Sequence, residues 1–371
     1  MIRFGPWSTT LGLGMLFAFA VAAALVARPG QRSANRWVAT LLAVMALKIS
    51  PYAIGYAGFY DAYPWLSFAP LSHELAFGPL LWLHVQQRSR DQLPPRWGWH
   101  LLAPGLVMVY LGACFIQPLG WKNDWNSRVH APFVDPALTW LGLLSLGCYL
   151  ALAWRRQNQY QAWLVQHISN AAEHRFTALR NLLLGLGAWV LLSVPYEIAT
   201  AAWQLDYYDR FALYLALTGL VFALGLEAWR HMEPRHPRQP WAEPETGVPQ
   251  EPLARSAPDW PAMGQAWRER TVAAGWWREP ELSLESLARR LGTNTTYLSR
   301  AFNEGLGQNL SEVIGGMRVD WVCRRLEQSD AIELDLLALG LEAGFASKTS
   351  FNRVFKAHTG LTPSAWRRAK S

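Results

Sequence analysis

Between Gly344 and Lys356 the chain reads GFASKTSFNRVFK. Taken as helix over 348–358, this stretch carries Lys348, Arg353 and Lys356 and no carboxylate, with Thr349 and Asn352 as short hydrogen-bonding side chains. Cations interleaved with amide and hydroxyl groups suit phosphate oxygens and base edges better than bond-breaking chemistry. Phe351, Val354 and Phe355 recur at helical spacing and would seat the opposite face in a core. An apolar helix over 335–343 comes first, and Gly344 breaks it. Two short helices around a tight turn, the second one basic, form the pattern of a helix-turn-helix whose second helix enters the major groove. The same charges also suit an ordinary solvated helix face, so context decides.

The chain continues as HTGLTPSAWRR. The pattern GF-x-S-x-x-x-F-N-R-V-F-K followed by G-x-T-P-x-x-W-R resembles the end of the AraC/XylS family of transcription regulators, and the match extends back to about Trp277. The resemblance implies two helix-turn-helix units in one domain. A first unit is readable upstream: residues 282–291 are amphipathic, with Leu284, Leu287, Ala288 and Leu291 on one side, and Gly292 breaks the helix. Residues 295–303 follow as a second helix, with Leu298 and Phe302 inward and Arg300 outward. Between the units, residues 311–327 read as a helix through Arg318, Val322 and Leu326. At 1.5 Å per residue it spans roughly 25 Å. Two reading helices held that way could address neighbouring major-groove segments about 34 Å apart. By resemblance, Thr295, Thr296, Arg300, Lys348, Thr349 and Asn352 lie near base edges, and Arg353 and Lys356 hold phosphates. Phe345, Phe351, Phe355, Gly360 and Pro363 are structural on the same reading. Asn303 stands where the family more often has a basic residue, and Val322 where a small one is usual.

Other chemistry is sparse. The sequence holds no GxSxG, no GxxxxGK[ST] loop, no HExxH, and no GxGxxG after a strand. The chain has 3 Cys with no CxxC or Cys/His spacing, which supports neither a disulfide scaffold nor a zinc site. No cofactor is expected, and the chain does not read as an enzyme. Four ionisable residues fall within apolar runs: Lys48, His73, Glu74 and Glu197. Each costs about 3 kcal/mol at the centre of a bilayer, so each needs a partner or a wet cavity. Lys48 with Glu74 is the expected ion pair. These four serve either as an interhelical polar clamp or as the wall of an outward-facing sensory pocket. His73 beside Glu74 makes a poor metal site, because neighbouring residues point different ways around a helix.

The elements that must carry these groups follow from composition. A length of 371 residues exceeds one ordinary domain. Hydrophobic residues at 51%, charged residues at only 16% and 21 Trp point to a membrane part. Seven apolar runs near membrane-spanning length are readable, at 9–27, 37–57, 66–85, 101–117, 137–154, 182–203 and 211–229. Trp7, Trp37, Trp65, Trp99, Trp121, Trp154, Trp203 and Trp229 sit near their ends, as in an interfacial aromatic belt. Arginines cluster after the first, third, fifth and seventh runs, and the other loops are poor in cations. By the positive-inside rule the N-terminus lies outside and the C-terminus in the cytoplasm, on the side where DNA is. A cleaved signal peptide over the first run is the alternative, and it would export the basic domain. Gly12, Gly14, Gly185 and Gly187 suit close helix packing.

Residues 157–180 are polar, with Trp163, Leu164, Ile168 and Phe176 among them. They read as a cytoplasmic helical hairpin lying on the bilayer or, alternatively, as a surface that contacts the DNA-binding domain. Residues 231–261 are rich in Pro, Glu and Arg and read as a flexible linker.

The expected fold is all-α: a seven-helix transmembrane bundle over 1–230, the linker over 231–261, and an AraC-type domain with two helix-turn-helix units over 262–371. The expected function is a one-component transcription regulator of an inner (cytoplasmic) membrane. Its expected partners are double-stranded DNA, the lipid bilayer and an unidentified signal molecule or membrane partner, with a homodimer left open. A membrane scaffold or transporter-like protein whose C-terminal helices bind protein is the alternative.

Overall fold

A computed structural model describes residues 2–27, 32–90, 92–171, 177–203, 205–230, 237, 239, 258–327 and 335–370. Among them every regular element is helical, and extended pairing is confined to two isolated bridges, Arg90 with Gln239 and Ile168 with Ser283. Contacts divide the chain into two units. One comprises Met1–Gln157 and Phe176–Trp241, the other Asn158–Arg175 and Ala242–Ser371.

In the first unit the principal helices are α1 (Pro6–Ala27), α2 (Arg32–Tyr56), α3 (Phe77–Ser89), α4 (Leu102–Phe115), α5 (Asp135–His167), α6 (Thr177–Trp203) and α7 (Phe211–Arg230). Helix α1 packs on α2 and α7, α2 also touches α3, and α6 lies on α7. Glycines set two of these approaches. A Cβ at Gly14 would stand 2.1 Å from the Thr218 methyl, and one at Gly225 would stand 2.7 Å from the Phe17 ring. Gly185 is also close-packed, whereas Gly12 and Gly187 face open space. The outward faces are apolar: Leu13, Leu16, Val109, Ile116, Leu144 and Leu191 are all exposed. Among the described residues, six helical segments are long and apolar enough to cross a membrane.

The third expected run, 66–85, is the one that differs. It breaks into a 3-10 turn at Pro64–Leu66, irregular chain with Phe68 at φ 63°, a second 3-10 turn at Glu74–Ala76, and then α3. Helix α3 has 13 residues, about 20 Å against a hydrocarbon core of about 30 Å. The run contains Pro70, which has no N–H to give a helix, and His73 is buried with its Nε2 bonded to the Pro70 carbonyl at 2.7 Å. Nearly every side chain of α3 is buried, polar His84, Gln86 and Gln87 included, so protein rather than lipid surrounds it.

Helix α5 has 33 residues and runs well past the expected end at 154, contributing to both units. Its last turns and residues 168–171 pack as part of the second unit. There Leu164, Ile168, Ser169, Asn170 and Ala171 are all buried. For residues 158–171 this replaces the expected surface hairpin, and they take the alternative role of contacting the C-terminal helices; residues 172–176, Phe176 among them, lie outside the described residues. The expected linker lies, apart from Pro237, Gln239 and 258–261, outside the described residues.

The remaining helices of the second unit are α8 (Trp260–Ala273), α9 (Leu284–Leu291), α10 (Thr295–Arg300), α11 (Leu310–Leu326), α12 (Leu336–Glu342), α13 (Lys348–Thr359) and α14 (Pro363–Lys370). One core joins them, built from residues such as Leu287, Leu298, Ile314, Val322, Phe351 and Phe355.

Candidate nucleic-acid interface

The first helix pair is fixed by its caps. Ser283 and Ser286 bond reciprocally at the start of α9, and Leu284, Leu287, Ala288 and Leu291 face the core. Gly292, at φ 74°, ends the helix. The Asn294 side chain accepts the Tyr297 N–H at 2.8 Å and starts α10. The chain then widens into a π-helical turn, Ala301–Gly305, pressed against α8. A Cβ on Gly305 would stand 2.2 Å from the Trp260 carbonyl.

The second pair repeats the plan. The Asp335 side chain caps α12 by accepting the Leu337 N–H at 3.0 Å. Gly344 turns the chain at φ 88°, where a Cβ would also stand 2.3 Å from the Arg278 carbonyl. Ser347 caps α13 by accepting the Ser350 N–H at 3.2 Å. Phe351 and Phe355 are buried, and their rings pack edge-on at 5.6 Å. Helix α11 links the pairs, capped by Asn309 and Glu312 in a reciprocal box.

All eight candidate DNA-contacting residues lie on α10 and α13. Thr296, Arg300, Lys348, Thr349, Arg353 and Lys356 are exposed, and Thr295 and Asn352 are half-buried. Their electrostatic settings differ. Arg300 donates to both carboxylate oxygens of Glu304, at 2.8 and 3.1 Å, and lies 4.6 Å from the Trp260 ring. The hydrogen bonds to Glu304 raise the guanidinium's pKa and hold the Glu304 carboxyl below its usual range. On α13, neither Lys348 nor Lys356 has an ion-pair partner among the described residues, and His358 Nε2 lies 3.0 Å from Asp320.

Two features escaped the sequence reading. Trp260, at the start of α8, covers Arg300 and also meets the Tyr297 ring edge-on at 5.5 Å. Arg318 on α11 is fully buried. Its Nε donates to the Trp277 carbonyl at 2.8 Å, its Nη1 to Asn170 Oδ1 at 2.7 Å, and its Nη2 to the Glu279 carbonyl at 2.7 Å and Ser169 Oγ at 3.3 Å. Burial lowers its pKa to about 10, which leaves it charged at neutral pH. The local signal was an arginine set among Met317, Val319 and Val322. Nothing near Ser169 or Asn170 in the sequence marks them as its partners.

The four intramembrane candidates lie in the first unit. Lys48 pairs with Glu74, and Glu197 with Arg210 at 3.8 Å. His73 Nδ1 has no hydrogen-bond partner among the described residues. Lys48, Glu74, Glu197 and Arg210 line one cavity with Tyr52 and Tyr214. A second cavity, of about 270 Å3, shares Glu74 and Asp135 with it and adds Lys122 and His130.

A profile described as a helix-turn-helix domain matches residues 287–369. This chain is 28% identical over 90 residues to the probable transcription factor PqrA of Proteus vulgaris, covering 24% of this chain and 71% of that protein. It is 31% identical over 86 residues to the HTH-type transcriptional activator AarP of Providencia stuartii, covering 23% and 62%. It is 32% identical over 92 residues to the uncharacterized HTH-type transcriptional regulator YtdP of Bacillus subtilis, covering 25% and 12%. No solved structure matches. The C-terminal part of the chain is thus an AraC-type helix-turn-helix domain, the DNA-binding part of a transcription regulator. The likeness is to regulators and not to enzymes.

Proposed function

We propose that this chain is a membrane-embedded, one-component transcription regulator. The observation that carries the proposal is helix α13. It is the second helix of a helix-turn-helix, its own sequence has no carboxylate, and Lys348, Arg353 and Lys356 are exposed on it. In the complex, Lys348, Thr349, Asn352, Thr295 and Thr296 approach base edges, and Arg353 and Lys356 hold phosphates. Arg300 joins them only after leaving Glu304.

Membrane embedding is supported by the six long apolar helices and by the exposed leucines and valines around them. In water such a surface would be an aggregation hazard. Of the eight tryptophans near span ends all but Trp37 are exposed, as an interfacial belt requires. The arginine-rich loops favour a cytoplasmic location for the C-terminal domain. The first unit is the sensor. A signal that binds one packing of its helices better than another shifts the population between them, and only that difference in affinity can do so. The paired charges Lys48–Glu74 and Glu197–Arg210 beside the cavities are where such a difference would arise.

The test is Lys348→Ala with Arg353→Ala in the full-length chain. A regulator loses most of its DNA affinity and stays in the membrane. Retained DNA binding would contradict the proposal, and a retained protein partner would favour the scaffold alternative.

A further inference from the structure

Residues 168–171 follow α5 directly, yet they are bonded into the DNA-binding unit at three places far apart in sequence. The first is the chain entering α9: Ser169 N–H donates to the Leu282 carbonyl at 3.0 Å, and the Asn170 amide donates to the Pro280 carbonyl at 2.7 Å. The second is α11, where Ser311 Oγ donates to the Ser169 carbonyl at 2.9 Å and Arg318 donates to Asn170 Oδ1. The third is the turn between α12 and α13, where the Asn170 amide donates to the Gly344 carbonyl at 3.2 Å. One asparagine thus meets the entry of the first helix-turn-helix, the linking helix and the turn of the second. Ser169 and Asn170 are buried, so water does not compete for these bonds.

Arg318 and Gly344 make this contact a built one. The guanidinium is buried and has two carbonyls of its own domain, Trp277 and Glu279, but its Nη1 points to Asn170 Oδ1. Gly344 brings its backbone against Arg278, which leaves the Gly344 carbonyl within reach of Asn170. An amide is the side chain that accepts from the arginine through one atom and donates to two carbonyls through the other.

We propose that residues 168–171 are an internal strap that positions the two helix-turn-helix units. By bridging the Pro280 and Gly344 carbonyls through the Asn170 amide, whose oxygen accepts from Arg318, the strap holds α10 and α13 at one separation. It therefore sets the spacing of the DNA half-sites that the domain accepts. Asn170 and Ser169 are positioning residues and do not touch DNA. This proposal rests on the DNA-reading function proposed above.

The test uses the full-length chain in lipid nanodiscs. Wild type, Asn170→Ala and Ser311→Ala are each used to select bound duplexes from a random library, and the separations of enriched half-sites are compared. Asn170→Ala leaves Arg318 the Trp277 and Glu279 carbonyls and Ser169 Oγ, and a cooperative thermal transition checks that the domain still folds. The expected result is that the half-site sequences stay the same while the preference for one separation over the next falls by about tenfold, the scale of a single mismatched base pair. Ser311→Ala, which removes one bond to the strap, gives a smaller loss. It carries the test if Asn170→Ala shows no cooperative thermal transition. An unchanged separation preference in the variants overturns the proposal. So does uniform weakening at every separation, which would mean that the strap only stabilises the domain. If wild type enriches no sequence, the DNA-reading function itself fails, and the strap proposal with it.

Discussion

The two helix-turn-helix units share a plan but not a charge. In the first, the single cation of α10 is held by Glu304 four residues on and covered by Trp260. In the second, α13 carries Lys348, Arg353 and Lys356 with no acid in the helix. Their turns differ as well. Gly292 and Gly344 both have positive φ, but a Cβ on Gly292 meets nothing within 4 Å, whereas one on Gly344 meets the Arg278 carbonyl. The second unit is therefore built with less tolerance, and on the proposed function it would supply most of the attraction to phosphate. On the same proposed reading the first unit would contribute mainly neutral groups, Thr295 and Thr296, that discriminate without adding much affinity.

The comparison can be broken at several points. Gly344→Ala should have the largest effect, lowering stability by roughly 3 kcal/mol, from the positive-φ strain it shares with Gly292 together with the clash against the Arg278 carbonyl. Gly292→Ala should cost only about 1 kcal/mol. Thermal or urea unfolding of the two variants checks the difference, and equal losses would remove the asymmetry. Next, Lys348→Ala with Arg353→Ala should weaken DNA binding by about 2 kcal/mol and, through the phosphate contact of Arg353, reduce the slope of log affinity against log salt by about 1. Arg300→Ala should change affinity far less than the α13 pair does, because the side chain is already occupied by Glu304. A loss at Arg300 as large as that of the α13 pair would show that Glu304 releases it on binding.

Glu304→Gln sharpens the same point in the other direction. It frees Arg300, and non-specific affinity should rise a few-fold, with the salt slope steeper by up to about 1. The smallest effect is on pH. The Glu304 carboxyl is held below its usual range by Arg300, so the pair's contribution is present above the unfolded carboxylate value and is lost as pH falls through the lower folded one. Wild type and Glu304→Gln should therefore differ across neutral and mildly acidic pH and converge only in stronger acid.

Much of this was legible in the sequence, and the reasons are physical. The helices of the two units announce themselves through apolar period and glycine breaks, 282–291 before Gly292 and 335–343 before Gly344, while their side-chain caps emerge only in the structure. The run at 66–85 has the length and many of the apolar residues of a span, but Pro70 and buried His73 interrupt it, and α3 is enclosed by protein. The Ser169–Asn170 contact with Arg318 was not legible at all. Its partners lie 148 and 149 residues apart, and an asparagine in a polar stretch looks like any other. Arg300 was legible as an outward cation, but its tie to Glu304 depends on a side-chain conformation that spacing alone does not choose.

The most direct measurement of the central claim uses the full-length chain in lipid nanodiscs with a random duplex library at about 0.15 M salt. Bound DNA is recovered and sequenced. The account predicts an enriched bipartite site with half-sites about 10 base pairs apart. The stricter base preference should lie in one half and be lost with Lys348→Ala and Arg353→Ala. Salt-sensitive binding with no enriched sequence would contradict the account, leaving phosphate attraction alone and a domain that does not read DNA.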